Sequence, residues 1–243
     1  MTSDATTPPA EPTWSTDRES GRVAALRDAE GKARALFDET IERGWLTAGR
    51  GERELSDAIR DLAGELFGIR RFWHKRIVRA GVNTLEPYES NPPDRLLTAD
   101  DIAFFDFGPI FEEWEADFGR TYVLGDDPVK HRLAADLPRI WQAGRRIFEG
   151  DQDITGAELY RAVLDLIADA GWGHGTTHAG HLVGEFPHEK INGDDIDCYV
   201  THGNDQPMRR LDAVGQPCHW ILEVHLVDRE RGFGGFYEQL LDI

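Results

Sequence analysis

Four lone carboxylates and a run of histidines are the side chains of this sequence best placed to do chemistry. Asp106 sits in FFDFG and Asp117 in EADFGRTY, eleven residues apart and each in apolar, strand-like surroundings. If the intervening PIFEEWE folds back as a hairpin, the two carboxylates face each other on adjacent strands, too close for both to stay ionised without a cation. Taken singly, either aspartate reads as readily as a turn cap or a surface residue; the pair is what points to a metal. Glu223 in WILEVHLV and Glu238 in GGFYEQLL are solitary glutamates in apolar strands, where a buried carboxylate needs a partner. A solvent-facing position is the ordinary alternative, and Ile221 and Val224 spoil the period-two polarity it would need around Glu223. Between these pairs, GWGHGTTHAGHLVGEFPHE places His174, His178, His181 and His188 within fifteen residues, among glycines that let a backbone approach closely. Histidines on a surface loop are the ordinary alternative there. Carboxylates with imidazole form a hard to borderline donor set, suited to Mn, Fe, Co or Zn and not to a metal that selects thiolate.

Elements of recognisable type position these residues. Apolar residues at helical spacing predict an amphipathic helix from about Asp17 to Leu46 and a second over Glu52–Phe67, closed by Gly68. FWHKRIVRAGVNT and DIAFFDFGPIF then turn to β-branched and aromatic residues between turn formers, which predicts strands that continue through ADFGRTYVLG. Pro128 to Phe148 returns to helical spacing, and Thr155 with Glu158 forms a capping box ahead of a helix running to Gly171. CYVTH, HWILEVHLVD and GGFYEQLL predict sheet and loop to the end of the chain. Helices and strands are grouped rather than strictly alternating, so the fold class is α+β. Residues 1–14, MTSDATTPPAEPTW, have almost nothing to bury and read as a flexible tail, with 15–243 as one domain.

Composition narrows the function classes. With 45 acidic against 27 basic residues the net charge is −18, which repels phosphate backbones and argues against nucleic-acid or anionic-membrane partners. Apolar runs fall short of the roughly 18 residues of a membrane span, and the first residues lack the pattern of a signal peptide, so a cytoplasmic location is expected. Cys198 and Cys218 lack CxxC partners and read as ordinary thiols.

The order Asp, Asp, His, Glu, Glu, carried by DFG, DFGRTY and GHG with a further histidine seven residues on, resembles the pita-bread metallopeptidases, a family that includes methionine aminopeptidase, Xaa-Pro aminopeptidase and creatinase. The resemblance covers roughly residues 50–243, including the capped helix that leads into the histidine motif. It implies the pita-bread fold, a curved antiparallel sheet covered by helices, with two divalent metal ions (Mn, Co, Fe or Zn) in the sheet. Carried over by motif, Asp106 chelates one metal, Asp117 and Glu238 bridge both, and His174 and Glu223 bind the other; Glu223 and His181 take catalytic roles, and His181 and His178 contact substrate. Two close cations lower the pKa of a water between them and polarise a carbonyl, so the implied reaction is hydrolysis of an N-terminal or small amide C–N bond. The implied partner is a peptide or small amide, with a homodimer left open. The sequence departs from the family at GHGTT, at His181-Leu182 where the family has His-Glu, at Glu223-Val224 where it has Glu-Pro, and in NTLEPYESNPPDRLL, which lacks a histidine usual before the first Asp. Tyr88 or Pro87 occupies that neighbourhood; His74 is the nearest candidate to replace the missing histidine but reads more readily as a satisfied histidine of an apolar strand, and Glu185 and Glu189, candidates for the missing acid of the His-Glu pair, read more readily as loop carboxylates. Two other readings remain: a non-peptidase metalloenzyme acting on a small metabolite by C–N hydrolysis, lyase or iron/oxygen chemistry, and a binding module that has lost catalysis.

Because residues 1–14 have no apolar pattern with which to dock, deleting them should leave metal content and melting temperature unchanged. Elemental analysis and a thermal melt check this; a loss of bound metal would show that the segment packs on the site.

Overall fold

Ser15 accepts the backbone N–H of Arg18 and opens helix α1 (Thr16–Glu42), the first element of a computed structural model that describes residues 15–187, 196–213 and 215–243. The expected tail lies outside the described residues. Helix α1 stops four residues short of the expected end, because Gly44 at φ 68° turns the chain before Leu46. Helix α2 (Glu52–Phe67) keeps its predicted bounds, with Gly68 at φ 71° as the left-handed stop. The strand expected from Phe72 begins late: β1 is Ile77–Ala80, and the preceding residues run as loop, with Phe72 bridging to Pro109.

Strand β2 (Ile102–Phe107) is followed by a two-stranded hairpin, β3 (Ile110–Phe111) with β4 (Trp114–Glu115), and by β5 (Phe118–Val123). The PIFEEWE segment therefore does fold back, and β2 and β5 run antiparallel. Asp127 caps helix α3 (Pro128–Gly150) by accepting from Val129 and Lys130, and the Thr155–Glu158 capping box opens α4 (Gly156–Asp169) as expected. The remaining strands are β6 (Gly173–His174), β7 (His178–Val183), β8 (Tyr199–Thr201), β9 (His219–Asp228) and β10 (Phe233–Leu240).

The large sheet has the order β1-β2-β5-β10-β9-β7-β8, with β6 added to the far end of β9, and its pairings are antiparallel. Period-two alternation gives it two different faces. On one, Phe105, Phe107 and Phe118 meet Phe37 of α1 edge-on or tilted at 5.4–5.6 Å, and Leu222, Val224 and Leu226 join the core built with α3 and α4. Helices thus cover that face, which leaves the alternate residues of the same strands, Asp106, Glu223 and Glu238 among them, on the other. Among the described residues no helix is long and apolar enough to cross a membrane.

A buried imidazole ties the two ends of the described chain together. His219, only 5% exposed, donates from Nδ1 to Asp242 Oδ2 at 2.8 Å and from Nε2 to Glu19 Oε1 at 2.7 Å. Burial lowers its pKa, but Asp242 first and Glu19 second outweigh burial and leave the pKa raised. A raised folded pKa contributes stability that is full below the unfolded value of about 6.5 and is lost as pH rises through the folded value. His219→Gln should therefore cost about 1.5–3 kcal/mol near pH 6 and progressively less towards pH 9, read from thermal or urea unfolding at three pH values. A stability difference independent of pH would show that the ring is neutral in the fold.

Candidate metal centre

Antiparallel register sets the carboxylates in a row. Asp106 is opposite Gly119, Gly119 is opposite Glu238, and Glu238 is opposite Glu223. Residues directly opposite share a face, so three carboxylates from β2, β10 and β9 point the same way, with the gap at Gly119 between the first two. Asp117, two residues before Gly119, adds a fourth. All are buried, at 7% exposure for Asp106, 3% for Asp117, 6% for Glu223 and 2% for Glu238.

The histidines of β7 reach the row through a bulge. In a regular strand His178 and His181, three apart, would point to opposite faces. Here His178 is opposite Thr201 and His181 opposite Tyr199, so β7 carries one extra residue between them. Gly180 takes up the irregularity at φ 137°, and a Cβ there would lie 2.0 Å from the Ile221 carbonyl oxygen. Both imidazoles consequently reach Glu223: His178 Nε2 donates to Oε1 at 3.2 Å, and His181 Nε2 is 3.9 Å from the same oxygen. His181 Nε2 also donates to Asp117 Oδ2 at 2.9 Å.

Two sequence readings change. His74 does not sit in a strand; its Nε2 donates to Asp117 Oδ1 at 3.0 Å and is 3.6 Å from Asp106 Oδ1. The cause is a long-range pairing, Trp73 N to Gly108 O (2.9 Å) and Ile110 N to Arg71 O (3.0 Å), which bends this segment into the site instead of letting it extend β1. His174, read as the imidazole ligand, is on β6 opposite Leu226 and leans on the Tyr160 ring of α4 at 5.9 Å. Among the described residues, two groups have ligand atoms within 4.8 Å of one another: His74, Asp106 and Asp117, and Asp117, His181 and Glu238. His181 belongs to one and His174 to neither. Tyr88 overhangs the cavity, 5.9 Å from the His74 ring, Pro87 is part of its wall, and Glu185 is exposed. His188 and Glu189 lie outside the described residues.

The charges do not balance without protons. Burial, then the neighbouring Asp117 and Glu223, push Asp106 up to about 7 despite His74. Burial with Asp117 and Asp106 raises Glu238 well above the carboxylate range. For Asp117 and Glu223 burial is outweighed, by His74 and His181 in the first case and by His178 in the second, so both are held low. His74 and His181 rise to about 9, because their aspartate partners overcome burial. Glu238 Oε1 is buried and has no hydrogen-bond partner among the described residues. An unpartnered acceptor among acidic groups, with imidazole nitrogens at its edge, is a donor set that fits divalent cations. The row opens on a cavity of about 950 Å³ with an apolar wall of Ile77, Phe104 and Phe236. Its size suits a short peptide or similar small molecule.

Because the raised groups must lose protons to become ligands, loading Mn or Co at pH 7 should expel at least one proton per chain, and apparent metal affinity should rise about tenfold per pH unit for each proton expelled. Calorimetry in two buffers of different ionisation heat reads this directly; equal heats in both would contradict the charge assignment.

Residues 24–211 match metallopeptidase family M24. A Xaa-Pro dipeptidase of Lactobacillus delbrueckii subsp. lactis is 29% identical over 133 residues, covering 53% of this chain and 36% of that protein. Among solved structures, dipeptidase PepE from Mycobacterium ulcerans superposes with a TM-score of 0.69 at 26% identity, covering 89% of this chain and 55% of that one. Methionine aminopeptidase from Rickettsia prowazekii gives a TM-score of 0.69 over 95% of both chains at 14% identity, a likeness of fold. The pita-bread fold expected from the motifs is thus the fold observed. The chain spans about a third of that curated relative and about half of the PepE structure.

Proposed function

The chain belongs to metallopeptidase family M24, and from that premise we propose that it is a metal-dependent peptidase cleaving a C–N bond at the N-terminal end of a short peptide. The observation that carries this reading is the buried row of Asp106, Asp117, Glu238 and Glu223 facing one cavity, with Glu238 Oε1 unpartnered. Relatives named as Xaa-Pro dipeptidases make an Xaa-Pro dipeptide the first substrate to try.

In this reading five residues would hold two divalent cations, Asp106 at one end of the row, His181 and Glu223 at the other, and Asp117 and Glu238 between them. His181 takes the place expected for His174, because it is His181 that meets Asp117 and Glu238. The exchange also repairs the motif. The family spacing of seven residues from the imidazole ligand to a His-Glu pair fails when counted from His174 and falls on His188-Glu189 when counted from His181. When bound, the cations supply Lewis acidity towards the scissile carbonyl and acidify a water. Glu223 accepts the proton of the attacking water and returns it to the leaving amine, with His178 holding its Oε1 in place. The apolar wall at Ile77, Phe104 and Phe236 takes a substrate side chain and keeps bulk water from the row.

Glu238→Gln keeps the size of the side chain and removes the shared charge. It should bind at most one cation per chain and lose about a hundredfold or more in turnover of Xaa-Pro dipeptides, with circular dichroism unchanged. Elemental analysis and proline release measure this. Two bound metals with a near-normal rate in Glu238→Gln would remove Glu238 from the site, and a metal-loaded wild-type chain that cleaves no peptide would sink the peptidase reading.

A further inference from the structure

The mechanism above leaves the His74 imidazole unused. His74, with a side chain only 6% exposed, comes from neither a strand nor the histidine-rich segment, yet its Nε2 lies among the carboxylates. We propose that His74 is a sixth metal ligand, acting on the Asp106 side, so that each of the two cations is held by one imidazole. The inference rests on the dinuclear reading and adds a ligand to it.

The geometry repeats itself around Asp117. Its Oδ1 faces His74 Nε2 at 3.0 Å and its Oδ2 faces His181 Nε2 at 2.9 Å. Each ring is anchored in the same way, Nδ1–H donating to the carbonyl of the next residue: Lys75 O at 2.7 Å for His74, Leu182 O at 2.7 Å for His181. An imidazole whose Nδ1 proton is committed to a carbonyl presents Nε2 as its free lone pair once deprotonated, which is how metal-binding histidines are oriented. The two groups of ligand atoms share Asp117 and contain one imidazole each, His74 with Asp106 and His181 with Glu238.

The placement of His74 is built into the packing. The Trp73 ring stands edge-on to both imidazoles, 4.5 Å from His74 and 5.3 Å from His181, and its Nε1 donates to the carbonyl of Ala116, beside Asp117. Gly108, two residues after Asp106, leaves the space the ring needs; a Cβ there would lie 2.2 Å from His74 Cδ2. A histidine that merely satisfied one carboxylate would not need its second nitrogen fixed and its approach cleared in this way. Two imidazoles instead of one also shift the donor set towards borderline cations, so Zn or Co should gain on Mn.

X-ray absorption on the full chain loaded with two equivalents of Co counts imidazoles without relying on activity. The expected result is one imidazole per Co in wild type, falling to about one half in His74→Phe, while a Co titration of the variant shows one site weakened about tenfold or more and the other little changed. His74→Gln, which keeps a polar side chain in the space, should give the same fall and stands in if the Phe variant fails to fold. One half per Co in wild type, or no fall in either variant, overturns the sixth ligand while leaving the dinuclear site standing. A wild-type chain that binds no Co overturns both.

Discussion

Four carboxylates share one water-poor wall of this protein, and their mutual repulsion is the constraint to which the rest of the site answers. At an effective dielectric of about 20, two such charges 4 Å apart repel by about 4 kcal/mol, and burial adds its own cost for each ion. The cation-free chain meets that cost with protons, on Asp106, on Glu238 and on the imidazoles of His74 and His181. Cations meet it better, since they neutralise several carboxylates at once and leave none to be held neutral.

Sheet geometry brings the charges together with little help from loops. Opposition across antiparallel strands places Asp106, Glu238 and Glu223 on one face from segments far apart in the chain. The helices then matter indirectly. By packing on Phe105, Phe107, Leu222 and Val224 they assign the other face of the same strands to the site. The bulge at Gly180 is the local exception to the alternation, and it is what lets two histidines three residues apart work on one glutamate.

Much of this was legible in the sequence, and what was not has a common cause. The capping box at Thr155, the stop at Gly68 and the isolation of four carboxylates in apolar segments, three of them strands, are local signals, and local signals survive into the fold. The histidine register is different. GHG drew attention to His174, whereas the bulge that turns His181 inward depends on Gly180 meeting the backbone of β9, a contact between residues some forty apart. A sequence clue did exist in the His188-Glu189 pair seven residues beyond His181. His74 had no such clue, because the bend that delivers it is made by pairing with Gly108 and Ile110, and its own neighbours read as strand.

The central claim is that this row of carboxylates exists to hold two cations. Anomalous diffraction at the Mn edge from crystals of the chain grown with Mn would test it most directly. The account requires two peaks in the cavity, one against Asp106, the other against Glu223 and His181, with Asp117 and Glu238 touching both. A single peak, or none within reach of Glu238, would contradict it.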